Sequence, residues 1–68
     1  METRLLLTMH AKIKMAELGI NKEQIKTAIR QGATMRQTEG YLASFAGLKV
    51  AYKKIGEDLY KIKTVFYS

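Results

Sequence analysis

The chain has 68 residues, enough for one small domain, and a chain of that length buries only about 60% of the surface its unfolded form exposes. Zero Cys excludes a disulfide framework, and a single His without Cys leaves too few nitrogen or sulfur ligands for a zinc site, so neither a metal nor another cofactor is expected. Twelve Lys and Arg against six Asp and Glu give a net charge of +6 and a pI near 9.8, which favours an anionic partner or serves solubility alone.

At the start, Arg4-Leu5-Leu6-Leu7 reads either as the first turn of a helix or as a short extended segment; periodicity does not arbitrate over so few residues. Thr8, His10, Lys12 and Lys14 interrupt the apolar run far short of the ~20 residues that span a bilayer, and it lacks the marks of a secretory signal. The expected location is therefore cytoplasmic, away from membranes. Met9, Ala11, Ile13, Met15, Ala16 and Leu18 fill a broad helical arc, with Thr8 as N-cap and Gly19 as stop, predicting a helix over 8–18. Asn21 and Gln24 then form a capping box, and Ile20 is placed to staple against Ile25. Ile25, Ala28 and Ile29 continue the period to Gly32, read as a left-handed stop, which predicts a second helix over 22–31.

Beyond Gly32, short runs of Thr, Tyr, Phe, Val and Ile are punctuated by Gly40, Gly47 and Gly56. Strands are expected at 34–39, 41–46, 48–55 and 59–67, so the predicted class is α+β, two N-terminal helices packed on a four-stranded antiparallel sheet. If the last hairpin sets Tyr52 opposite Ile62, strict alternation makes Val50 face Thr64 and Leu48 face Phe66. The other face then collects Lys49, Lys53, Lys61 and Lys63, with Val65 and Tyr67 beside them. Lys53 and Lys61 would be directly opposed like charges, which cost stability unless an anion sits there. An ordinary solvated face that discourages edge pairing reads equally well.

His10, Lys14 and Glu17 form the one plausible reactive cluster, because at ~100° per residue they share a narrow arc of the first helix. The order His10-Ala11, Lys14-Met15, Glu17, Gly19-Ile20, followed by a capped helix and an aromatic-rich strand run, resembles a family of short prokaryotic domains, domain of unknown function 4258. That family usually reads His-Ala-x-x-Arg-Met-x-Glu-Arg-Gly-Ile. Here Lys14 replaces the first arginine, losing its bidentate fork, and Leu18 replaces the second, losing its charge.

The resemblance, from about Leu6 to Tyr67, implies kinship with RelE-like toxin ribonucleases of toxin–antitoxin systems, and hence an RNA substrate and an antitoxin partner. Metal-free RNA cleavage needs a base, an acid and cations for the developing phosphorane charge. His10 is the leading acid or base, Glu17 its orienting partner and Lys14 the phosphate cation. Lys49, Lys53, Lys61, Lys63 and Arg36 would hold the backbone, with Tyr67, Tyr52 or Tyr60 available for stacking. Two other readings stand beside it: a non-catalytic nucleic-acid-binding domain, and an interaction or structural module, homo-oligomeric or homodimeric, whose charge keeps it soluble and whose apolar or edge surface pairs with itself or with another chain.

Overall fold

The computed structural model describes residues 3–68. Thr8 joins the first strand to the first helix. Its backbone N–H and hydroxyl both donate to the carbonyl of Ile62, the hydroxyl at 2.9 Å, while its oxygen accepts the Ala11 N–H at 3.1 Å. One side chain therefore caps α1 (Met9–Leu18) and fastens β1 (Arg4–Leu7) to the far end of the chain.

Gly19 ends α1 with φ of 69°, and the Ile20 N–H closes the turn onto the Met15 carbonyl. The capping box expected at Asn21 and Gln24 is present in both directions, at 2.9 and 2.8 Å, and starts α2 (Lys22–Gln31). Gly32 does not end that helix in the left-handed region: its φ of −81° and ψ of 172° are extended. It is needed for a close approach instead, because a Cβ there would lie 2.5 Å from the carbonyl oxygens of both Ala28 and Ser44.

From Gly32 the chain enters a meander of β2 (Ala33–Gln37), β3 (Gly40–Phe45), β4 (Leu48–Gly56) and β5 (Leu59–Tyr67). Ala46 and Gly47, at φ of 51° and 85°, make the tight turn between β3 and β4. The sheet corrects the expectation of four antiparallel strands: it has five, in the order β1-β5-β4-β3-β2, and β1 runs parallel to β5 with Leu5 beside Tyr60 and Leu7 beside Ile62. Four residues are too few for periodicity to declare a strand, and its partner lies more than fifty positions away.

Both helices pack on one side of this sheet. Ala11, Ile20, Ile25 and Ala28 meet Ala43, Leu48, Val50, Tyr52, Ile62 and Val65 in a single core, flanked by Leu5, Leu7, Met15 and Leu18. Ile25, Val50, Ile62 and Val65 are fully buried, a contribution of about 1.5–3 kcal/mol each. Met9 and Ile13, read from sequence as part of the apolar arc, are 71% and 51% exposed.

Candidate nucleic-acid interface

A bulge in β5 decides which side chains share a face. Ala51 pairs with Thr64 and Tyr52 with Ile62, so Lys63 is the extra residue and the alternation shifts phase there. The expected Tyr52/Ile62 and Lys53/Lys61 pairs are present, but Val50 faces Val65 rather than Thr64, and Leu48 faces Tyr67 rather than Phe66. Val65, expected beside the lysines, is consequently in the core, and Tyr67 moves to the helix side, where it lines a depression with Gln24, Thr27 and Leu48. Phe66 takes its place on the open side as the cross-strand partner of Lys49, and is 37% exposed. Strict alternation hides such a swap; no local residue in β5 announces it.

The open face thus presents Lys49, Lys53, Lys61 and Lys63, with Phe66 opposite Lys49, Ala51 between Lys49 and Lys53, and Leu6 and Leu42 on the flanking strands by register. None of the five strands contains an Asp or Glu: among the described residues every carboxylate lies in a helix or a turn. The Lys49 ammonium donates to the Ser44 hydroxyl at 2.7 Å, and the Lys63 ammonium reaches across β4 to the Glu39 carbonyl. Lys53 and Lys61, directly opposed and both exposed, make neither an ion pair nor a side-chain hydrogen bond among the described residues. Both ion pairs found there are helical, Lys14 with Glu17 at 3.6 Å and Lys26 with Glu23 at 3.5 Å.

Arg36 is exposed on β2, opposite Tyr41, and so belongs to the helix side of the sheet. With Tyr41, Lys53 and Lys54 it lines an open depression of about 480 Å3 at the end of the β2–β3 hairpin. Tyr41, Tyr52 and Tyr60 form a row across three strands, with ring centroids 5.7 and 5.5 Å apart. Tyr52 is buried within it, and Tyr60 packs against the core, so neither is a stacking platform on the open side. Burial pushes the Tyr52 phenol above its ordinary pKa; hydrogen bonding with Thr34 opposes the shift and the neighbouring Tyr60 and Tyr41 add to it.

His10 is exposed in the first turn of α1, and Lys14 and Glu17 follow on the same helix. That helix covers the side of the sheet opposite the lysines, so five strands and their core lie between the imidazole's helix and the open face. The structure brings His10, Lys14 and Glu17 onto one helix and Lys49, Lys53, Lys61 and Lys63 onto one sheet face. It does not bring the two groups together. No family model, no curated protein and no solved structure matches the chain. Among the described residues no three His, Cys, Asp or Glu side chains group as metal ligands, and no helix is long and apolar enough to cross a membrane.

Proposed function

We propose that this domain binds single-stranded nucleic acid, RNA foremost, across the open face of its sheet. The observation that carries the reading is the segregation of charge: lysines from β4 and β5 share one sheet face with an exposed phenylalanine, which pairs with Lys49, on strands that hold no Asp or Glu. Cations tracking a phosphate backbone beside an aromatic ring that accepts a stacked base are the two elements of sequence-tolerant single-strand binding. An anion between Lys53 and Lys61 would relieve the repulsion that their register imposes.

Titration of a fluorescent single-stranded RNA across a salt series tests this. Affinity should fall with salt at a slope of about 0.7 per neutralised phosphate, so replacing both Lys53 and Lys61 by Ala should lower the slope by about 1.4. Phe66→Ala should weaken binding by about 1–3 kcal/mol if one base stacks there. Salt-insensitive binding, or affinity unchanged in the double variant, refutes the proposal.

One observation favours a second reading, the toxin-like endoribonuclease with an antitoxin partner that the family resemblance implies: His10 is exposed on the helix that also carries the Lys14–Glu17 pair. RNA held on the sheet would then have to pass around its edge to reach that helix. Incubating the bound RNA with wild type and with His10→Ala separates the two readings. Cleavage by wild type alone supports catalysis; binding retained in both with the RNA intact supports a domain that binds without cutting.

A further inference from the structure

We propose that β2 is a pairing edge through which two copies of this chain form a symmetric dimer, antiparallel about Met35. All five residues of β2 are exposed, and its register with β3 runs without a bulge from Ala33 to Gln37. Edge strands in soluble proteins are ordinarily blunted by Pro, inward-pointing charge, a bulge or shortness. β2 has no Pro and no bulge; its single charge, Arg36, lies on the helix side but is exposed, so one charge at one position is the only such device it carries.

The strand is also complementary to itself. Turned about Met35, Met35 meets Met35 of the second copy, Thr34 meets Arg36, and Ala33 meets Gln37, so no like charges are opposed and all five residues pair. Centring the axis on Arg36 would oppose two guanidiniums. Centring it on Thr34 would pair only three residues and leave Arg36 and Gln37 without partners.

Packing favours the Met35 axis as well. Met35 is 64% exposed and borders a shallow depression of about 310 Å3 shared with Ala33, Leu42, Ser44 and Lys49. Two methionines meeting over this apolar strip bury surface that a domain with so thin a core leaves uncovered, and the unbranched thioether adapts to an imperfect fit. A two-fold axis perpendicular to the sheet keeps both open faces on the same side. Pairing therefore joins the two lysine-bearing faces into one surface, although the dimer itself does not depend on what that surface binds.

The natural sequence has no Cys, so single cysteines report the register cleanly. Directly opposed antiparallel residues have Cα atoms about 4.5–5.5 Å apart, within disulfide reach. Positions two residues either side of the axis are roughly 14 Å from their own mates. Under glutathione redox buffer without nucleic acid, Met35→Cys should form a covalent dimer and Gln37→Cys should remain monomeric, while Ala33→Cys mixed with Gln37→Cys should cross-link as a heterodimer. Sedimentation of the wild type should show mass rising with concentration towards twice the monomer. A wild type that stays monomeric at every concentration, or Gln37→Cys cross-linking as readily as Met35→Cys, overturns the proposal.

Discussion

Gly32 sits where the end of α2 and the β3 backbone come so close that a single methyl group meets two carbonyl oxygens at 2.5 Å. Gly32→Ala should therefore destabilise the fold by more than about 2 kcal/mol, because backbone rather than a flexible side chain would have to move. Gly19 is a different case: its left-handed φ of 69° is the constraint, with open space around it. A urea-unfolding series on both Ala variants should rank Gly32→Ala as the worse. Thr8 concentrates three interactions in one residue, and Thr8→Val would remove the hydroxyl from both the helix cap and the Ile62 carbonyl. The expected loss is about 1–3 kcal/mol, read from the shift in unfolding midpoint.

The two helices were legible because their signals are local. Thr8, Gly19, Asn21 and Gln24 act within a turn of where they stand, and each interaction assigned to them is made. The meander was nearly as plain, since Gly and turn residues separate its runs. What the pattern concealed depends on distant partners: β1 becomes a strand only beside β5, and the Lys63 bulge exists only against β4. The candidate interface shared that fate. Its lysines could be read from alternation up to the bulge; beyond it Tyr67 and Phe66 exchanged faces. A direct test of the β4–β5 register is Lys61→Glu, which turns the Lys53/Lys61 repulsion into an attraction. Stability should rise by about 0.2–1 kcal/mol while RNA affinity falls, a divergence that thermal melting and the binding titration read together.

Across the domain, apolar packing occupies one side of the sheet and unpaired positive charge the other. The buried Tyr52 links that core to solution conditions, because folding holds its phenolic proton more tightly than the unfolded chain does. The corresponding stability is fully present below about pH 10, the ordinary tyrosine value, and is lost as pH rises through the elevated folded pKa. The unfolding free energy of wild type should fall relative to that of Tyr52→Phe as pH rises through the alkaline range. A difference independent of pH would mean that the phenol titrates alike in both states.

The hydrogen bonds from Thr8 to Ile62 tie the first strand to the last, and this has a temporal consequence. During synthesis the helical hairpin emerges early and the meander can zip one strand at a time, yet Leu5 and Leu7 have no strand to pair with until β5 has left the ribosome. Residues 4–7 are thus the last to join the sheet, and a nascent polypeptide stalled before Leu59 would wait with the backbone of this segment unladdered.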